Sequence, residues 1–116
     1  MNMFDQRLIT LIRQLISWLV AGDYEAAQRR SRGIRLSADL MRDAVLRYGR
    51  TLVIPPDTAF AGIDAIEVRN AASPTWSVRF DLWTAEEGRS DLSLECTLID
   101  RGAGRIDLEI DNLRSL

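Results

Sequence analysis

The chain has no histidine and a single cysteine in 116 residues. Histidine is the commonest general acid–base and a principal metal ligand. Without it, Ser-His-Asp and Cys-His catalytic arrangements are impossible within the chain. One cysteine cannot close an internal disulfide, and the usual Cys/His zinc sites cannot be assembled. The expectation is a reducing, cytoplasmic setting with no metal and no cofactor, and the balance tilts against an enzyme. Lysine is absent too, so all 15 basic residues are arginine; codon bias in a GC-rich genome accounts for that. No long hydrophobic run is present. The stretch Leu8 to Val20 is interrupted by Arg13 and Gln14, too short and too broken to span a bilayer. Asp5 stands where a secretory signal needs positive charge. Neither a targeting segment nor a membrane partner is expected.

What is present fits one globular domain over residues 1–116, with an ordinary 47% of hydrophobic residues and a net charge of −2. The charge is unevenly divided. Residues 1–50 carry nine arginines against five acids, or +4; residues 51–116 carry six against twelve, or −6.

The stretch from Trp76 to Leu98 organises the chain. Trp76, Val78, Phe80 and Leu82 alternate with Ser77, Arg79 and Asp81, and Leu92, Leu94, Cys96 and Leu98 alternate with Ser93, Glu95 and Thr97. Both have the period of half-buried strands. Gly88 lies between them and takes positive φ without steric cost. A three-residue Glu86-Glu87-Gly88 loop makes paired residue numbers sum to 174. Leu82 then meets Leu92, Phe80 meets Leu94, Val78 meets Cys96, Arg79 meets Glu95, and Trp83 meets Asp91. A one-residue slip would set every apolar side chain opposite a polar one, so the pattern specifies the register.

Ahead of the hairpin the pattern is helical. From about Phe4 to Val20, the residues Leu8, Ile9, Leu11, Ile12, Leu15, Ile16, Trp18, Leu19 and Val20 fill an arc of roughly 200°, wide enough for an embedded helix. Gly22 suits its C-terminus, and Asp23 can cap a short helix over Tyr24 to Arg30. A third helix starts at the N-cap Ser37 and ends at Gly49, with Leu40, Met41, Ala44, Val45 and Tyr48 as its buried stripe. In the connection over residues 51–63, Thr51 to Ile54 is a short extended run stopped by Pro55-Pro56, and the rest is a loop with Phe60 packed over the end of the core. Ile66 and Val68 open the sheet and are expected to face inward. After Leu98, the last strand turns Ile106, Leu108 and Ile110 inward and Asp107, Glu109 and Asp111 outward. The fold expected is α+β: N-terminal helices (about 4–49) on a curved four-stranded antiparallel meander (about 64–113). Cystatin-like and NTF2-like cones share that general shape, an analogy that carries no function.

The string W-S-V-R-F-D-L-W-T-A-E-E-G-R-S-D-L-S-L-E, Trp76 to Glu95, resembles the signature of an uncharacterised family of small bacterial proteins. Gly22-Asp23-Tyr24 and Pro55-Pro56 resemble it as well. The resemblance implies a small bacterial domain and transfers no activity, cofactor or catalytic residue.

Candidate site residues gather at the hairpin tip and on the polar sheet face: Trp83, Glu86, Glu87, Arg89, Asp91, Arg79 and Glu95. An aromatic among charges and arginines is what an interface anchor looks like. Glu95 falls near the acids of the last strand in any even register, which builds in repulsion. Cys96, on the core face, is expected to be an inert small hydrophobe. The favoured function is a non-enzymatic, adaptor- or immunity-like module that binds another protein or a second copy of itself. The alternative is a small-ligand or enzymatic pocket of NTF2-like type between helix and sheet. Phosphate or nucleic-acid contact through Arg29, Arg30, Arg32 and Arg35 is the weakest reading, because no interleaved aromatics accompany them.

Overall fold

A computed structural model describes residues 6–115. The described residues form three α-helices, α1 (Gln6–Ala21), α2 (Tyr24–Ser31) and α3 (Ala38–Tyr48). Five strands follow, β1 (Leu52–Val53), β2 (Asp64–Glu67), β3 (Thr75–Thr84), β4 (Gly88–Gly102) and β5 (Arg105–Ser115), with a 3-10 turn at Asp57–Phe60 between β1 and β2. The helix start expected at Phe4 lies outside the described residues. The fold is α+β, with the N-terminal helices packed on the antiparallel sheet. The sheet has one strand more than expected, because Leu52 and Val53 pair with Thr84 and Trp83 of β3.

The helix boundaries follow from local chemistry. α1 ends where Gly22 turns left-handed (φ +75°). There the Asp23 N–H reaches back to the Trp18 carbonyl and the Gly22 N–H to the Leu19 carbonyl, the pairing of a glycine C-cap. Asp23 then caps α2 by accepting from the Ala26 N–H at 3.1 Å. Ser37 does the same for α3 from the Leu40 N–H at 3.2 Å, and Gly49 closes α3 in the left-handed region.

α1 is the embedded helix. Leu8, Ile12, Leu15, Ile16 and Leu19 are each at most 1% exposed and share a core with Val78, Phe80, Leu82, Leu94, Cys96, Leu98, Leu108 and Ile110. Ile9, Leu11, Trp18 and Val20 pack half-buried around it, as the wide apolar arc requires. Phe60 seals one end of the core: it is buried and stacks on Phe80 with ring centres 5.0 Å apart, while the Arg13 guanidinium lies over its other side at 4.1 Å. The buried face of α1 and the inner face of the sheet thus form one continuous apolar core.

Leu40 and the face of β2 differ from expectation. Leu40 is 53% exposed, because Ala38 and Met41 present the core-facing side of α3. Ile66 and Val68 face solvent. The pairing sets Ala65 opposite Val78 and Ile66 opposite Ser77, so Ala65 is the residue of β2 on the core side.

The β3–β4 ladder runs as expected from Thr75↔Ile99 to Asp81↔Ser93, every pair summing to 174. The tip departs from it. Trp83 pairs with Arg89 and Thr84 with Gly88, so the loop is Ala85-Glu86-Glu87 and Gly88 is the first residue of β4, still left-handed at φ +76°. Leu82 alone then faces Ser90, Asp91 and Leu92, a β-bulge. The buried Ser90 hydroxyl holds it, donating to the Leu82 carbonyl at 2.7 Å and accepting from the Leu92 N–H at 3.1 Å.

The charge division becomes a seam between helices and sheet. Arg7 of α1 pairs with Asp100, and Arg13 with Asp57. Arg35 bridges Glu109 and Asp111 of β5, and Arg30 donates to the Ile106 carbonyl at 2.6 Å. Arg32 and Arg35 both adopt positive φ (60° and 68°), a conformation uncommon for residues other than glycine. Arg32 takes it as the left-handed C-cap of α2, where its N–H returns to the Arg29 carbonyl at 3.3 Å and the Gly33 N–H to the Gln28 carbonyl at 3.0 Å.

Candidate functional site

The hairpin tip is clamped rather than free. Tyr48, in the last turn of α3, donates its hydroxyl to the Glu87 carboxylate (2.9 and 3.0 Å) and accepts from the Asp91 N–H at 3.2 Å. The buried Thr84 hydroxyl also donates to Glu87, at 2.9 Å, and accepts from its backbone N–H. Glu86 accepts from the Thr51 N–H and hydroxyl at 2.9 and 3.0 Å. The Thr51 N–H holds the Glu86 carboxyl below its ordinary value, helped by the residue's own backbone N–H. Two carboxylates expected at an interface therefore fix the tip to the start of β1 and the end of α3.

Trp83, Arg79 and Arg89 are brought together elsewhere. β4 covers one edge of β3; β1 and β2 share the other, covering residues 83–84 and 76–79. Phe80 to Leu82 remain uncovered between them. A cleft of about 460 Å³ opens there, walled by Arg79, Asp81, Trp83 and Arg89 on one side and by Thr58, Ala59, Ile63 and Asp64 on the other, with Phe80 at its base. Trp83 is half-buried against the core, not opposite Asp91 but across from Arg89. Two loose ion pairs rim the cleft: Arg79 to Asp64 at 3.7 Å and Arg89 to Asp81 at 3.9 Å. Both are longer than a hydrogen bond, and both arginine side chains are at least half exposed.

Glu95 stands apart from this group. It pairs in register with Arg79 as expected, yet its carboxylate accepts from Arg114 at 3.2 and 3.3 Å. The repulsion expected with the acids of β5 is avoided by a register shift between Glu95 and Cys96, which sets Asn112 opposite Glu95. Ser93, expected on the polar face, is fully buried, and its hydroxyl has no hydrogen-bond partner among the described residues.

Sequence reasoning missed two groups. The Tyr48 clamp was hidden because Tyr48 fell on the apolar stripe of α3, whereas its hydroxyl reaches a hairpin 39 residues away. Asp107 gathers Arg32, Arg101 and Arg105, a set spread over 75 positions. Arg101, then Arg105, hold its carboxyl below the ordinary value.

Cys96 is 1% exposed, and burial pushes its thiol up, with the Asp111 carboxylate adding to the shift. The thiolate is the reactive form, so the native protein should not react with a disulfide exchange reagent such as DTNB. One thiol per chain should appear on unfolding in guanidinium; prompt reaction of the folded chain would contradict this burial. Among the described residues, no three His, Cys, Asp or Glu side chains converge in a way that could hold a metal ion. No helix among them is long and apolar enough to cross a membrane.

Neither a curated protein nor a solved structure matches the chain. The family described as Domain of unknown function (DUF7668) matches residues 16–116, and the chain belongs to it.

Proposed function

We propose that the chain is a non-enzymatic module of the cytoplasm that takes an extended segment of a partner protein into the cleft beside β3. The observation that carries this reading is the convergence of Trp83, Arg79 and Arg89 on the uncovered stretch of β3. A half-buried tryptophan flanked by arginines is the composition of interface hot spots. An uncovered strand edge offers backbone groups to an incoming extended chain. The long ion pairs to Asp64 and Asp81 cost little to exchange, since exposed pairs are worth about 0–1 kcal/mol. A partner carboxylate can therefore replace either acid, with an apolar side chain against Trp83. Burial of Cys96, with no second cysteine, suits a reducing compartment.

The small-ligand alternative moves to the same place. A volume of about 460 Å³ lies in the range of small-molecule sites, about 300–1,000 Å³. The two readings separate by what is captured.

The test uses the full chain as bait, followed by calorimetry with the purified captured partner. Arg79→Ala and Arg89→Ala are expected to weaken binding at least about ten-fold each, as truncation of a hot-spot arginine does, with melting temperatures unchanged. Binding within two-fold of wild type in both variants would sink the proposal. Trp83→Ala should weaken binding further, but its contact with the core makes a stability control necessary. Saturable binding of a metabolite, competing with no protein, would favour the ligand reading instead.

A further inference from the structure

We infer that the β4–β5 turn carries an oxyanion site for phosphate groups, built from Arg101, Arg105 and Arg32 around Asp107. It lies apart from the β3 cleft and does not rest on the function proposed for it.

Asp107 is 8% exposed and accepts from the Nε of Arg101 at 2.9 Å and the Nε of Arg105 at 3.3 Å. An Arg32 Nη lies 3.7 Å from the same carboxylate, too far for a hydrogen bond. Three guanidiniums thus surround one carboxylate, a local excess of two positive charges. Each of Arg101 and Arg105 is gripped through its Nε, so the outer pair of Nη groups on each finds no hydrogen-bond partner among the described residues. Those groups are the donors that engage phosphate oxygens in a fork. A carboxylate that holds the inner nitrogen fixes the fork's direction beforehand, which lowers the ordering cost of binding.

Access is open. The turn between the two arginines is Gly102-Ala103-Gly104, and nothing lies within 4 Å of where a side chain would begin at either glycine. The three arginine side chains are 43–58% exposed at Arg101 and Arg32 and 68% at Arg105. The acids nearest along β5 are already committed, Glu109 and Asp111 to Arg35. Like charges crowded in this way repel one another, and a bound dianion relieves that repulsion. Such a ligand can be a free polyphosphate or the phosphates of a nucleic-acid strand, which share this chemistry.

The test is titration of the full chain with inorganic pyrophosphate, followed by NMR on backbone amides of the 100–106 turn and on arginine Nε–Hε groups. Saturable shifts with a half-point at or below about 10 mM pyrophosphate are expected. Arg101→Gln and Arg105→Gln should each weaken binding about ten-fold, the loss of one charge-assisted fork. Asp107→Asn is the decisive variant. It makes the patch more positive, so a merely electrostatic surface would bind pyrophosphate more tightly. A site that depends on Asp107 to position the forks binds it several-fold more weakly. Tighter binding by Asp107→Asn, no shift in wild type, or unchanged affinity in both glutamine variants would each overturn the inference. The glutamine variants alter exposed side chains and keep the test available whatever Asp107→Asn does to folding. A single-stranded oligonucleotide run in parallel identifies the source. Affinity above that of pyrophosphate, with a steep salt dependence, assigns the site to a strand; affinity below it assigns the site to a free polyphosphate.

Discussion

Replacing Leu15 with alanine should lower the unfolding free energy by about 3–4 kcal/mol, inside the range of about 2–5 kcal/mol found for fully buried leucines. Leu15 is 0% exposed and sits midway along α1, in the core that the helix shares with β3, β4 and β5. Removing its isobutyl group loses the transfer free energy and leaves a cavity that close-packed strands cannot collapse into. Urea denaturation followed by circular dichroism checks it, with the midpoint moving and the slope unchanged. Leu46→Ala is the matched control, since Leu46 is 70% exposed and should change stability by no more than about 0.5 kcal/mol. A loss below about 1 kcal/mol at Leu15 would mean that α1 is not seated in the sheet.

The second large effect is expected at Ser90. Its hydroxyl satisfies the Leu82 carbonyl and the Leu92 N–H at once, and Ser90 itself is 5% exposed. Alanine leaves both backbone groups without this partner, at about 1–3 kcal/mol for each unsatisfied buried group. A total loss of about 2–3 kcal/mol is expected on that basis. The effect should also reach the cleft. The bulge that Ser90 ties off is what sets Arg89, rather than Asp91, opposite Trp83. Ser90→Ala should therefore speed hydrogen exchange at the Leu92 amide and weaken partner binding, whereas Ser90→Thr, which keeps the hydroxyl, should do neither. Unchanged exchange at Leu92 in the alanine variant would remove Ser90 from this role.

What was legible in the sequence follows from the physics of alternation. Phe80↔Leu94 and Val78↔Cys96 could be read directly, because one face of the hairpin is buried and any slip exposes it. The caps at Asp23 and Ser37 were readable for a similar reason, since the donor and its acceptor lie three residues apart. The alternation is silent at the tip. Ser90 and Asp91 are both polar, so the two extra residues of the bulge leave no mark on the pattern. The face of β2 is ambiguous for a related reason. Four residues are too few to establish a period, and Ile66 and the following Val68 are more apolar than Ala65, which the pairing turns to the core. Of the candidate residues, Arg79, Trp83 and Arg89 come together, Glu86, Glu87 and Asp91 go to the tip clamp, and Glu95 goes to Arg114. The clamp and the Asp107 cluster depend on contacts between distant parts of the chain, which no local spacing encodes.

The position of α1 at the opposite end of the chain from its cover has a consequence during synthesis. Val78 is made 63 residues after Leu15, and Ile110 is made 95 residues after it. At about 5–20 residues per second, the apolar arc of α1 waits on the order of 3–20 s for the strands that bury it. The three-residue β3–β4 loop and the tight turn at Ala103-Gly104 let those strands pair within about 1–10 μs per hairpin once they emerge. The apolar arc of α1 thus stays without its strand partners over that interval, and the arrival of β5 completes the core they share.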